Sequence, residues 1–337
     1  MQSLFEPWNR SWRRTLAFGI AVAAIGAVIG LLIDQVVLPS RGAGLESSWP
    51  GTGSAEPGVI TAELHDANST QHGLRVLFIG NSFTAYNSMP EMVTKLAVGN
   101  TERPRSLVVE EYAPGGSTLL EAAHDPQLIR LVNGAHWDMV VLQEQSQLPE
   151  LSYWLKNETL PVVTWLNVLI QHNGRPGGAI PLEFETWGYQ HGDQANYAGD
   201  SYEAMQQRLH DGYGYLANVQ GLGFVPVGDA WALAHRRQPL LQLWGDDGRH
   251  ASLAGSYLTA AVFDQALANY ASGNRRPLNP EGNRYTAGLP SAEAAWLRHI
   301  AALSWRNALA GSVKNSVTLP RFPPVTQRRT VSLIRGR

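Results

Sequence analysis

Apolar runs of strand length alternate with helix-length amphipathic stretches through the middle of the chain. The first run, Leu74 to Thr84 (LRVLFIGNSFT), has the continuous apolar character of a strand that is buried on both faces, and it stops at Gly80. Pro90 suits the first turn of a helix that continues to Val98. The pattern therefore predicts a strand, a turn and a helix at the start of the folded region.

The same succession repeats downstream. Further strands are predicted at Leu107–Glu110, Met139–Leu142, Ile180–Phe184 and Phe224–Val227. Helices are predicted through Leu119, Leu128 and Leu131, over Trp154–His172 and Tyr202–Val219, after the cap Ser252 to Leu267, and from Ser291 through Leu303. Strands that alternate with helices indicate an α/β sandwich with a mostly parallel sheet. Functional residues of such sheets lie at the carboxyl ends of strands, where Ser82, Gly116 and Gln143 are expected.

A second kind of apolar run lies near the N-terminus. Leu16–Ile33 carries no charge and would span about 27 Å at about 1.5 Å per residue, which is close to the thickness of a bilayer core. Arg10, Arg13 and Arg14 precede it and Asp34 follows, so the positive-inside rule places the downstream chain outside the cytoplasm. The prediction is a single-pass anchor in the cytoplasmic membrane. The alternative is secretion after cleavage of a signal peptide, although no A-x-A site follows the run.

These patterns divide the chain into five segments. They are a cytoplasmic N-terminus (1–14), a transmembrane anchor (15–38), a flexible linker rich in Gly, Ser and Pro (39–73), an α/β domain (74–310) and a basic, proline-containing tail (311–337).

Composition narrows the possible functions. Hydrophobic residues make up 44% and charged residues 16% of the chain, which is typical of a folded protein. The formal net charge of -2 gives no reason to expect a nucleic-acid partner. The absence of cysteine excludes disulfides, thiolate catalysis and cysteine-ligated metals. The histidines lack the H-E-x-x-H spacing, so neither a metal nor another cofactor is predicted.

One serine and one Asp/His pair carry the chemistry. A serine hydroxyl becomes a nucleophile only when a base within hydrogen-bond reach is held by a third group. Ser82 follows the first strand, and Asp247 and His250 have a D-x-x-H spacing that lets the carboxylate hold one imidazole nitrogen while the other faces the serine. The alternative is that Asp246–His250 forms a solvated turn ahead of a helix.

Several blocks taken together resemble a known family. FIGNSFT, APGGSTL, WDMVVLQEQS, FETWG and DDGRHASLAGSYL, in this order over Leu74–Leu267, are similar to the SGNH hydrolases, also called GDSL lipases and esterases. The resemblance implies a three-layer α/β/α fold with a flavodoxin-like sheet. It also implies that Ser82 is the nucleophile, His250 the base and Asp247 the residue that orients it. Asn81 replaces the aspartate of the GDS motif, which resembles the GNS-type bacterial branch.

The resemblance also implies an oxyanion hole. In the family, the donors are the serine N–H, a glycine N–H from the second block and an asparagine side chain from the third. Ser82 and Gly116 fit the first two, with Gly115 as a near alternative to Gly116. The third block here reads LQEQS instead of G-x-N-D, so the predicted third donor is the amide of Gln143, with Gln145 as the fallback.

The predicted function is that of an extracytoplasmic serine esterase. It would hydrolyse a short-chain O-acyl or O-acetyl ester, on a small molecule or a polysaccharide, through an acyl-enzyme intermediate. The N-terminal helix would be its contact with the membrane. Two alternatives stay open: an O-acyltransferase with the same triad, and a non-catalytic glycan-binding protein of the same fold, which the altered third block favours.

Overall fold

A computed structural model of the chain describes residues 59–61, 73–100, 106–173, 178–273 and 276–310. The strands are β1 (Val59–Thr61), β2 (Leu74–Ile79), β3 (Leu107–Tyr112), β4 (Met139–Leu142), β5 (Ile180–Phe184) and β6 (Gly223–Val225). The helices are α1 (Ser82–Ala85), α2 (Met89–Val98), α3 (Leu119–Ala123), α4 (Pro126–Gly134), α5 (Leu160–Asn173), α6 (Tyr202–Gln220), α7 (Val227–Arg237), α8 (Leu253–Ser272) and α9 (Ser291–Ala310). Short helical turns occupy Tyr86–Ser88, Leu148–Glu150 and Ser152–Trp154, and the π-helical segment Leu155–Thr159 leads into α5.

The strands form one sheet in the order β1-β3-β2-β4-β5-β6. Strand β1 is antiparallel to β3, whereas β2 to β6 are all parallel. The order of these five parallel strands is that of flavodoxin-like sheets, in which the chain changes direction across the sheet after the first strand and ligands bind at that point. Here the first parallel strand is β2, and its carboxyl end delivers Ser82.

Helices cover both faces of the sheet because β2 is apolar on both. Val76 and Phe78 point into a core that also contains side chains of α2, α6, α7, α8 and α9. Leu77 and Ile79 point into a second core, which contains side chains of α3, α4 and α5. The described residues thus form helix, sheet and helix layers, and the predicted α/β class with a mostly parallel sheet is confirmed.

The observed elements differ from the predicted ones at several places. The helix predicted over Trp154–His172 is a short helix that ends at Trp154, a π-helical segment and α5, and β3 extends two residues past its predicted end. The single helix expected through Leu119 and Leu131 is two helices, because Pro126 suits a helix start and Asp125 accepts a hydrogen bond from the Gln127 N–H at 2.8 Å. Strand β6 ends two residues before its predicted end, because α7, a helix that was not predicted, begins at Val227.

Several predicted segments lie outside the described residues. They are the N-terminus 1–14, the anchor 15–38, most of the linker 39–73 and the tail 311–337. Three residues of the predicted flexible linker form β1, with Val59 opposite Glu110, and this pairing departs from the prediction. Of the helices within the described ranges, none combines the length and the apolar character needed to cross a bilayer.

Helix α6 packs closely against the turn Leu148–Glu150. A Cβ atom added to Gly212 would lie 2.0 Å from the Pro149 carbonyl oxygen, so only glycine fits there. Two residues on, a Cβ atom added to Gly214 would meet no atom of a neighbouring element within 4 Å. The packing of α6 therefore requires glycine at position 212 but not at position 214.

We expect Gly212→Ala to destabilise the protein by about 1–3 kcal/mol, since the backbone must shift to relieve the overlap. Gly214→Ala should raise the free energy of unfolding by about 0.5–1 kcal/mol, because alanine favours the helix and meets no obstacle. Urea unfolding of the two variants measures both. A Gly212→Ala variant as stable as the wild type would contradict the close packing.

Candidate active site

The turn after β2 places Ser82 at the start of a helix. A Cβ atom on Gly80 would lie 2.4 Å from Thr84 Oγ1 and 2.5 Å from Gln143 Oε1, so glycine is required at the end of the strand. The Asn81 side-chain oxygen accepts a hydrogen bond from the Phe83 N–H at 3.0 Å, which caps α1. Ser82 is consequently the first residue of α1, at the carboxyl edge of the sheet.

The D-x-x-H segment is a tight loop closed by its own backbone. Trp244 and Ala251 pair across its base, and the Gly245 N–H donates to the His250 carbonyl at 2.8 Å. Asp247 Oδ1 accepts hydrogen bonds from the N–H groups of Arg249 and His250, both at 2.9 Å. The other oxygen, Oδ2, is thereby left facing the imidazole.

The structure brings Ser82, Asp247 and His250 together. His250 Nδ1 lies 2.5 Å from Asp247 Oδ2, and His250 Nε2 lies 2.9 Å from Ser82 Oγ, although the serine and the histidine are 168 residues apart. Burial raises the pKa of Asp247, but hydrogen bonds from the Arg249 N–H and from His250 outweigh this and hold it below its usual value. The order carboxylate, imidazole, hydroxyl is that of a nucleophilic triad.

The residues that follow α1, which the sequence reasoning missed, contact the imidazole and the chain next to it. The Tyr86 ring stacks on His250 with centroids 4.7 Å apart. Asn87 donates hydrogen bonds to the Ala251 carbonyl at 3.1 Å and to Ser256 Oγ at 2.8 Å. These bonds join the segment after the nucleophile to the loop Trp244–Ala251 that carries His250, called the base loop below. Asn87 has a φ of 55°, a region that asparagine tolerates better than most residues, and the dipeptide Asn87-Ser88 was the one available signal of a turn.

Aromatic rings pack against the base loop and the residue that follows the nucleophile. Trp187 stacks on Phe83 at 4.7 Å and on Trp231 at 4.2 Å. Its Nε1–H donates to the Arg249 carbonyl at 2.9 Å, so the same indole contacts the residue after the nucleophile and the residue before the base. Trp187 therefore fixes the separation between the two halves of the triad.

A glycine turn lies beside the nucleophile turn. Gly116 has a φ of 71°, which favours glycine, and it is exposed. Asn81 Nδ2 donates to the Ser117 carbonyl at 2.9 Å, and Ser117 Oγ donates to the Gly80 carbonyl at 3.2 Å. Within the described part of the chain, the N–H groups of Ser82 and Gly116 have no acceptor. Both are free to act as the predicted oxyanion donors.

Gln143, the predicted third oxyanion donor, is hydrogen-bonded to the residues around the nucleophile turn. Its Oε1 accepts hydrogen bonds from the Asn81 N–H and from Thr84 Oγ1, each at 2.9 Å, and its Nε2 donates to the Glu144 carbonyl. The side chain is 1% exposed. Gln143 thus supports the backbone on which Ser82 stands, and its role as an oxyanion donor stays a prediction.

The fallback residue, Gln145, has a different environment. It is half-buried, its Oε1 accepts a hydrogen bond from the Gln147 N–H at 2.8 Å, and it lines an open cavity. Its role as an oxyanion donor stays a prediction.

We expect Gln143→Ala to lower the free energy of unfolding by about 1–3 kcal/mol, because the buried Asn81 N–H loses its acceptor. Gln145→Ala, at a half-buried position, should cost clearly less. Chemical denaturation of both variants measures the difference. Equal stabilities would argue against a supporting role for Gln143.

The next residue, Glu144, joins the third sequence block to the second. Its Oε1 accepts hydrogen bonds from the N–H groups of Leu119 at 3.0 Å and Gln145 at 2.7 Å, while Oε2 has no partner among the described residues. Glu144 is fully buried, and burial raises its pKa to about 7. Glu183 is also fully buried, and burial together with the charge of Glu144 raises its pKa well above the usual value.

A raised carboxyl pKa in the folded state makes stability fall as the pH rises from the unfolded value, near 4.5, through about 7. Glu144→Gln keeps the acceptor oxygen but removes the ionisation. We therefore expect the variant to gain on the order of 1–3 kcal/mol relative to the wild type between pH 5 and pH 8. Urea unfolding at both pH values measures this, and a pH-independent difference would contradict the buried ionisation.

A second cluster brings one histidine and two carboxylates together. His210 Nδ1 lies 3.1 Å from Glu185 Oε1 and 3.2 Å from Asp229 Oδ1. Hydrogen bonds to Asp229 and Glu185 raise the pKa of His210 to about 11, which favours the protonated imidazole. These contacts are thus those of an ion-pair network.

No model of a known protein family matches this chain, and no curated protein matches it. Solved structures do match. A DUF4886 family protein from Bacteroides uniformis is 19% identical, and the match covers 74% of this chain and 98% of that one with a TM-score of 0.54. A protein from Slackia heliotrinireducens, provisionally assigned to the SGNH hydrolases, is 26% identical over 58% of this chain and 100% of that one, with a TM-score of 0.48. An acetylxylan esterase from Geobacillus stearothermophilus is 16% identical over 59% of this chain and 94% of that one, with a TM-score of 0.40.

The match to the Bacteroides uniformis protein shows a shared fold. Proteins called an SGNH hydrolase and a GDSL-like lipase are among the solved structures that this chain is similar to. The GNS-type branch stays a prediction.

Proposed function

We propose that this chain is a serine esterase that hydrolyses a carboxylic ester through an acyl-enzyme intermediate. The observation that carries the proposal is the contact series from Asp247 Oδ2 to His250 Nδ1 at 2.5 Å and from His250 Nε2 to Ser82 Oγ at 2.9 Å. The resemblance to a superfamily of ester hydrolases supports the same reaction.

In the first half of the reaction, Ser82 Oγ attacks the ester carbonyl carbon while His250 Nε2 takes the hydroxyl proton. Asp247 holds the Nδ1–H and stabilises the imidazolium that forms. The N–H groups of Ser82 and Gly116 donate to the oxyanion of the tetrahedral intermediate. When the intermediate collapses, the alcohol leaves with the proton from His250 and the acyl group stays on Ser82.

In the second half, His250 takes a proton from water and the resulting hydroxide attacks the acyl carbonyl. The proton then returns from His250 to Ser82 Oγ as the carboxylic acid leaves. Capture of the acyl group by a sugar hydroxyl instead of water would give the acyltransferase. Because both reactions share the first half, only product analysis separates them.

The substrate and the location are part of the proposal. We infer an extracytoplasmic enzyme anchored by residues 15–38, and the support is the uncharged run Leu16–Ile33 with arginines before it. A short acyl group, such as acetyl on a carbohydrate, fits an enzyme in the cell envelope.

A fluorophosphonate probe should label the wild-type protein at Ser82, because the hydroxyl is activated by His250. The Ser82→Ala variant should not be labelled, whereas Ser291→Ala, which changes an exposed serine at the start of α9, should label like the wild type. Peptide mapping by mass spectrometry locates the adduct. An unlabelled wild type, or equal labelling of Ser82→Ala, would exclude the proposed nucleophile.

Loss of His250 or of the Asp247 carboxylate should reduce kcat on a short-chain ester by about 10⁴-fold, because the base is lost or wrongly oriented. Asp247→Asn and His250→Ala, assayed with 4-nitrophenyl acetate, test this. Normal turnover in His250→Ala would refute the base assignment. Addition of a sugar acceptor, with product analysis, decides between water and a hydroxyl as the acyl acceptor.

A further inference from the structure

A cavity of about 410 Å³ opens beside the triad. Asp247, the carboxylate that holds the base, forms part of its wall, and so do the two residues between Asp247 and His250. One of these two is Arg249, and the other lining residues that bear on its chemistry are Gln145, Gln147, Tyr189, His191 and Asp193. The wall thus combines polar and charged side chains with one aromatic face.

The cavity is close to the nucleophile. The Tyr189 ring in its wall lies 6.4 Å from the ring of Phe83, which directly follows Ser82. On the other side, Asp247 is linked to Ser82 through His250 by the two triad hydrogen bonds. A substrate whose ester lies at Ser82 can therefore extend its alcohol part into this space.

Arg249 supplies the cavity with a positive charge. Its guanidinium lies over the Tyr189 ring, 5.1 Å from the centroid, and within the described residues it forms no ion pair. Tyr189 is itself fixed, because its hydroxyl is 2.7 Å from Ser146 Oγ. The aromatic face therefore holds the cation in position before any ligand binds.

The two acidic residues of the wall are committed to other groups. Asp193 Oδ1 accepts the N–H groups of Ala195 at 3.1 Å and Asn196 at 3.2 Å, and its Oδ2 accepts the Asn196 amide. Asp247 uses both oxygens within the base loop. Both carboxylates keep their charge, but their oxygens are engaged within the protein, whereas the Arg249 guanidinium donates to no group of the described residues and can donate to a ligand.

We propose that this cavity binds the alcohol part of an ester that carries a carboxylate, with Arg249 as its partner. A guanidinium presents a planar pair of donors that matches a carboxylate, and Arg249 stands two residues from Asp247, so the anion would lie beside the reacting bond. The inference rests on the proposed esterase function, and it names the substrate class as anionic esters.

A matched pair of esters tests the proposal by kinetics. 4-Acetoxybenzoate and 4-acetoxybenzamide have the same acyl group and the same shape, and they differ in one negative charge. The full-length wild-type chain should hydrolyse the carboxylate with a kcat/KM about tenfold higher than the amide, which corresponds to about 1.4 kcal/mol. Arg249→Met, which keeps an apolar stem on Tyr189, should bring this ratio close to one, and Arg249→Lys should keep part of it. Arg237→Met, at an exposed arginine in the last turn of α7, is the matched control and should keep the wild-type ratio.

A binding measurement separates this proposal from the proposed reaction. In the Ser82→Ala variant, 4-acetamidobenzoate should bind about tenfold more tightly than 4-acetamidobenzamide by calorimetry, and Arg249→Met in that background should remove the difference. Equal affinities, or a charge preference that survives Arg249→Met, would overturn the subsite. Equal hydrolysis of both esters that depends on Ser82 would also overturn it while leaving the esterase proposal intact. Hydrolysis of neither ester would count against the esterase proposal, and the affinities would then decide the subsite independently.

Discussion

The two oxygens of Asp247 do different work, and the arrangement of the site depends on both. One oxygen accepts two backbone N–H groups and so fixes the loop in its tight form, and the other is left to hold the imidazole. The loop shape and the orientation of His250 are therefore set by one carboxylate. A glutamate, with its longer side chain, would not make both sets of contacts from the same backbone position.

The turn that carries Ser82 likewise depends on one side chain, Asn81, that makes several hydrogen bonds. Asn81 caps the helix that begins at Ser82 and also reaches across to the glycine turn, while its own N–H is held by Gln143. Glu144 then joins the same region to the start of α3. The ends of three strands are thus connected by hydrogen bonds between side chains and backbone. The donors left over, at Ser82 and Gly116, belong to the backbone.

Much of the fold and of the candidate site could be predicted from the sequence. The features that could not be predicted all depend on contacts between distant parts of the chain. The continuous apolar strands and the turn at Gly80 are local features, so the place of Ser82 at a strand end could be expected, and the D-x-x-H spacing indicated its base. The amide orientation of Gln143 depends on atoms of Asn81 and Thr84, which lie about 60 positions earlier in the chain. The same holds for the stacking of Tyr86 on His250 and for the indole of Trp187, because tertiary packing decides where such rings lie. The contact of Arg249 with Tyr189 at the cavity also needed the structure, since the two residues are 60 positions apart in the sequence.

The short strand β1 has a consequence for the sheet as a whole. It pairs antiparallel with β3 and thereby covers the backbone of what would otherwise be the outermost parallel strand. An uncovered strand of that kind presents unpaired N–H and C=O groups, which recruit strands of other molecules. The strand Val59–Thr61 therefore protects the edge of the sheet from pairing with other molecules. A shortened protein that begins at Leu74 would lose it and would tend to self-associate along β3.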